Sequence, residues 1–103
     1  MNEITSLKAP ETGLEIPVGL PHSIEAEQQL LGAILTNNDL FERVAPIVEA
    51  EHFYDPVHAR IFETASARIA KNNLASPDTL KASLEEDAGF AELGGPKYIV
   101  RLL

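Results

Sequence analysis

From Ile24 to Leu35 the apolar residues Ile24, Leu30, Leu31, Ile34 and Leu35 fall on one side of a 3.6-residue period, and Glu27 lies alongside them. This spacing predicts a first helix beginning at Ile24. Pro21 blocks helix upstream, Ser23 offers an oxygen to the orphan amides of the first turn, and Glu25 and Glu27 put negative charge at the positive helix end. Gly32 inside this pattern costs about 1 kcal/mol relative to Ala, so its use there predicts that another backbone approaches closely.

Further along, the same logic predicts short helices started by caps and prolines. Asn37 and Asn38 end the first helix and cap a second, in which Leu40, Phe41 and Val44 face inward until Pro46 removes an amide donor, leaving it short or kinked near Ala45. Ile47 and Val48 carry the apolar face onward. A third helix is expected from Pro56 to about Lys71, with Asp55 as N-cap, Pro56 at the first position, and Val57, Ile61, Phe62, Ala65 and Ile69 as its inner stripe. Asn72 and Asn73 close it. Ser76, Pro77 and Asp78 repeat the device for a helix whose inner residues are Leu80 and Leu84. A short apolar turn through Phe90 and Leu93 then leads to a last helix restarting at Pro96. No capping signal ends that helix, so the natural chain is expected to continue past Leu103.

The expected fold is therefore all-α, a compact bundle of about five or six short helices. Its core is expected to comprise Leu31, Ile34, Phe41, Val44, Phe53, Tyr54, Ile61, Phe62, Ala65, Ile69, Leu80 and Leu84. Phe53 and Tyr54 stand just before the Asp55 cap, where an aromatic pair would staple the incoming loop against the first turns of the third helix. Residues 1–20 mix Pro10, Gly13, Pro17 and Gly19 with isolated apolar positions of no period and are expected to form a flexible leader.

Composition narrows what such a bundle could do. At 103 residues it is one domain, and Leu, Ile, Val and Ala dominate a chain poor in aromatics, which suits helix-on-helix packing. Sixteen acidic residues against eight basic ones give a formal charge of −8, with the cations scattered singly, so a phosphate-tracking surface is excluded as the primary expectation. The absence of cysteine removes disulfides and thiolate metal sites. No secretory signal or membrane-length apolar run is present, and a cytoplasmic location is expected.

Candidate chemistry is sparse. His22, His52 and His58 form no two-histidine helical pair with an acid in ligand register, so no metal site is expected, and His58 is expected to pack or hydrogen-bond locally in the first turn of the third helix. No nucleophile sits in a strained turn of the kind hydrolases use. Gly94, Gly95, Pro96 and Lys97 lack the spaced glycines and the Lys-Ser/Thr of a P-loop and are read as a turn between helices. No catalytic residue and no cofactor are expected in these 103 residues.

Three blocks taken in order carry a family resemblance: "PHSIEAEQQLLGAIL", "FYDPVHARIF" and "GGPKYIVRLL". From residue 21 to residue 103 the chain resembles the N-terminal domain of the bacterial replicative DNA helicase, the DnaB family. One departure is that Ser76 followed by Pro77 stands where the family often has a capping Asp. The resemblance implies a helical collar domain, residues 21–103, leading into a helical hairpin and a RecA-like motor that binds ATP and Mg; neither hairpin nor motor lies within these residues. It further implies dimers of such domains within a hexameric ring, recruitment of primase, contact with a helicase loader, and DNA contact only through the full ring, with no membrane. On this reading Tyr98, Ile99, Val100, Leu102 and Leu103 of the last helix support protomer contacts. Composition alone equally permits a free-standing acidic helical adaptor that binds another protein.

Overall fold

The computed structural model describes residues 23–103. The expected leader, the Pro21 stop signal and His22 lie outside the described residues. Local capping chemistry sets where the helices begin. Ser23 Oγ accepts from Ala26 N at 3.1 Å and opens α1 (Ile24–Thr36). Asn37 Oδ1 accepts from Asp39 N, starting a 3₁₀ turn (Asn38–Leu40) that runs into the single turn α2 (Phe41–Val44). After a second 3₁₀ turn (Ala50–His52), Asp55 Oδ1 accepts from Val57 N at 2.8 Å and Pro56 begins α3 (Pro56–Ala70). Ser76 and Thr79 exchange side chain to backbone bonds in a capping box at the head of α4 (Pro77–Leu84). Two shorter helices follow, α5 (Ala88–Leu93) and α6 (Pro96–Leu102), and no strand occurs among the described residues.

One stretch departs from expectation. Residues 88–93, read as a turn, form a helix capped by Asp87 Oδ1 on Phe90 N; six residues with only Phe90 buried are too few for a period to register. Helix α2 is a single turn, because Pro46 follows directly after Ala45 and the segment begins as 3₁₀.

The core runs through all six α-helices of the described residues: Leu31, Ile34, Val44, Phe53, Ile61, Phe62, Ala65, Leu80 and Leu84 are buried, joined by Leu35, Val48, Val57, Ala75, Phe90, Tyr98 and Ile99. Phe41 and Ile69 are half-buried against this cluster. Tyr54 corrects the expectation for the aromatic pair, since it is 60% exposed. Backbone extended at Phe53 sends successive side chains to opposite sides, so one ring goes in and the next goes out. The inward ring, Phe53, lies 5.1 Å from Phe62, which in turn lies 5.8 Å from Phe41. The loop is thus anchored through Phe53 against the second turn of α3.

Helices α1 and α6 meet backbone to backbone. Gln28 faces Tyr98 and, four residues on in each chain direction, Gly32 faces Leu102, so contacts advance in the same sense along both helices. A Cβ at position 32 would collide with the carbonyl oxygen of Leu102 and stand 2.9 Å from its carbonyl carbon. Gly32 is therefore the close-approach point that its cost in a helix interior implied. At the other end of α6, Gly94 (φ 119°) and Gly95 (φ 63°, ψ −139°) return their amides to the carbonyls of Ala91 and Phe90 and turn the chain from α5 into α6.

Truncating Phe53 to Ala removes the ring that joins the loop to α3 and leaves a cavity beside Phe62. Chemical denaturation is expected to show a loss of about 3–5 kcal/mol. An unchanged midpoint would contradict the burial of this ring.

Candidate functional site

The inner stripe of α3 contains a polar residue, His58, whose side chain is fully buried one turn before Ile61 and Phe62. A sealed imidazole needs a partner at each nitrogen. Its Nδ1 lies 2.8 Å from Glu27 Oε1 on α1, and its Nε2 lies 2.5 Å from the Tyr98 hydroxyl on α6. The phenol also accepts from Gln28 Nε2 at 3.1 Å. A carboxylate can only accept, so Nδ1 carries the proton and donates to Glu27; in the neutral ring Nε2 is then an acceptor, and the Tyr98 O–H donates to it. The result is a one-way chain, Gln28 to Tyr98 to His58 to Glu27, in which each group meets the requirement of the next. The two rings lie nearly parallel, 14° apart, with centroids 5.9 Å apart.

Glu27 does more than receive that chain. Expected to serve the positive end of its own helix, it reaches to the head of α3, where Oε2 accepts from Tyr54 N at 2.6 Å and Oε1 from Asp55 N at 3.4 Å. An anion of α1 thus stands at the N-terminus of α3, the site that a helix dipole favours for negative charge. His58 was expected to bond locally; its partners are instead 31 and 40 residues away in sequence.

A second polar tie joins α3 to α5. Arg60 Nη2 donates to Asp87 Oδ1 at 3.0 Å, and its Nε pairs with Oδ2. Hydrogen bonding from Arg60, followed by the Phe90 amide, holds the Asp87 carboxyl below its ordinary 3.8.

The carboxylate–imidazole–hydroxyl order resembles a catalytic relay, yet it has nowhere to deliver a proton. His58 is sealed, and Tyr98 is 7% exposed. The shallow cleft at the rim of Tyr98, about 280 Å³, is lined by Glu25, Gln28, Gln29, Arg101 and Leu102 and has no access to the imidazole. Among the described residues no group of three or more acids and histidines is placed to hold a metal ion. The arrangement therefore positions helices.

The last helix divides differently from expectation. Tyr98 and Ile99, expected at an interface, are buried, because Ile99 faces the core and the Tyr98 hydroxyl reaches His58. Leu102 is half-buried against the core, while Val100 and Leu103 are exposed at 57% and 58%. Leu74, at 62%, is another exposed apolar side chain.

Fold and site together define a small all-α domain clasped by a buried polar chain. The family model described as "DnaB-like helicase N terminal domain" matches residues 19–103. Similar relatives include the "Replicative DNA helicase DnaB" proteins of Rickettsia typhi, 40% identical over 99% of this chain, and Rickettsia prowazekii, 42% identical over 90% of it. The protein of the same name from Buchnera aphidicola is 29% identical over 99% of the chain. The aligned regions make up 20%, 19% and 20% of those three proteins, so the chain spans about a fifth of their length. This chain belongs to the DnaB-like helicase N-terminal domain family.

Asp87→Asn keeps an N-cap for α5 and removes the charge that Arg60 meets. Because the folded carboxyl is held low, its contribution is fully present above the ordinary value of 3.8 and is lost as pH falls through the folded value. The gap in denaturation midpoint between the native chain and Asp87→Asn is expected to be widest at neutral pH and to shrink below 3.8. A gap independent of pH would contradict the pairing.

Proposed function

We propose that this chain is the non-catalytic assembly and partner-docking domain of a hexameric replicative DNA helicase whose ATP- and Mg-dependent motor lies in a separate part of a longer protein. The observation that carries this reading is the family match across residues 19–103 combined with relatives about five times as long, each named as a replicative helicase. Support for a non-catalytic role comes from the sealed relay: among the described residues, the carboxylate–imidazole–hydroxyl constellation has its imidazole closed to solvent. Residues 21–103 then form the collar domain, and dimers of these domains build the ring from which primase and a helicase loader are engaged in the cytoplasm. DNA is reached only through the complete ring. Among the described residues no helix is long and apolar enough to cross a membrane.

Within this reading Val100 of α6 and Leu103 at its C-cap meet a neighbouring protomer, with Leu102 at the margin, because exposed apolar side chains on one helix end favour cover. The acidic adaptor has no comparable observation on its side. Its composition argument applies equally to a domain of a larger assembly.

The test uses the chain extended to the length of its relatives, with and without Val100→Asp and Leu103→Asp together. Sedimentation is expected to show a hexamer for the parent and smaller species for the double variant, while the 103-residue chain alone turns over no ATP. A double variant that sediments like its parent would remove α6 from the interface. ATP turnover by the 103-residue chain would overturn the non-catalytic assignment.

A further inference from the structure

Helix α6 is attached to the rest of the domain in an unusual way. Its covalent link to α5 is Gly94–Gly95, both at positive φ, and Gly95 sits at φ 63°, ψ −139°, a region open in practice to glycine alone. A Cβ at Gly95 would meet nothing within 4 Å, so backbone freedom rather than crowding distinguishes this position. Gly95 also supplies no side-chain cap to α6.

The side-chain hydrogen bonds of α6 divide into two kinds. Arg101 Nη2 donates to Leu93 O, which lies on the α5 side of the glycine pair, and the guanidinium sits 5.7 Å from the Tyr98 ring centroid within α6 itself. The Tyr98 hydroxyl alone reaches across to α1 and α3, through Gln28 and His58. At the far end, the carbonyl of Leu102 lies directly against Gly32, with no side chain of α1 between the two backbones.

We propose that α6 is a releasable clasp: Gly94–Gly95 is its joint, the Tyr98 hydroxyl its latch, and Gly32 its seat. Opening turns α6 away as one unit, uncovers Ile99 and the imidazole of His58, and withdraws Val100 and Leu103 from the position they hold when the latch is closed. The α1–α3 body stays folded during this motion, since Glu27 keeps its bonds to His58 Nδ1 and to the amides of Tyr54 and Asp55. The clasp stands whether or not the assembly role holds, because its parts are internal to the domain.

Native-state hydrogen exchange on the 103-residue chain, read amide by amide by NMR in low urea, tests it. In the unmodified chain the α6 amides are expected to exchange faster than those of Ile61, Phe62 and Ala65, with little dependence on urea, before the two sets merge near unfolding. Tyr98→Phe leaves His58 Nε2 buried without a donor and is expected to accelerate the α6 amides roughly ten- to a hundredfold. Phe53→Ala weakens the body whether α6 is open or closed, so it is expected to accelerate the α3 amides and leave α6 unchanged. The clasp is overturned if α6 and α3 share one rate and one urea slope in the unmodified chain. Joint acceleration in Phe53→Ala, or an unaltered α6 in Tyr98→Phe, would overturn it equally.

Discussion

An imidazole closed off from water must find a partner for each ring nitrogen before apolar residues can cover it, because an unpaired buried polar group costs about 1–3 kcal/mol. His58 imposes that condition on this domain. Glu27 and Tyr98 satisfy it from α1 and α6, so three helices distant in sequence are fixed to one another by two hydrogen bonds. The apolar cluster supplies most of the driving force, yet Leu, Ile and Val packing tolerates sliding and a directional chain does not. Register between α1, α3 and α6 is thus set by polar atoms at the centre of an apolar core.

That register has consequences at both ends of α1. Near its start, Glu27 lies against the amides that open α3, so the carboxylate that orients His58 also caps the loop leading into its helix. Farther along, the absence of a side chain at Gly32 lets α6 settle against α1 until Leu102 O meets the Gly32 backbone. A domain that holds α6 this way leaves Val100 and Leu103 exposed while the imidazole that positions the helix stays covered.

Much of this architecture is written in local sequence. Ser23, Asp55 and Ser76 perform the capping their positions foretell, because a cap is decided by a few neighbouring atoms. The inner stripe of α3 and the close approach at Gly32 are equally legible, one from period and the other from a residue that makes no sense in a helix unless something lies against it. The polar chain is not, since Glu27, His58 and Tyr98 are linked only by tertiary folding. A signal was nonetheless available: Glu27 and His58 each occupy an inward position of an apolar stripe, and two such misfits imply that they meet. Tyr54 and Ile99 exchange their expected places for a local reason, the sense in which extended or helical backbone points each side chain. The helix at residues 88–93 escapes notice because it is shorter than two turns.

The most direct test of the polar chain is the protonation pattern of His58, observed by long-range ¹⁵N–¹H NMR of the imidazole side chains. The chain of donors predicts a single tautomer for His58, protonated at Nδ1 and bare at Nε2, which collapses when Glu27 is replaced by Ala. A ring that averages between tautomers as a solvent-exposed histidine does, or that carries its proton on Nε2, would contradict it.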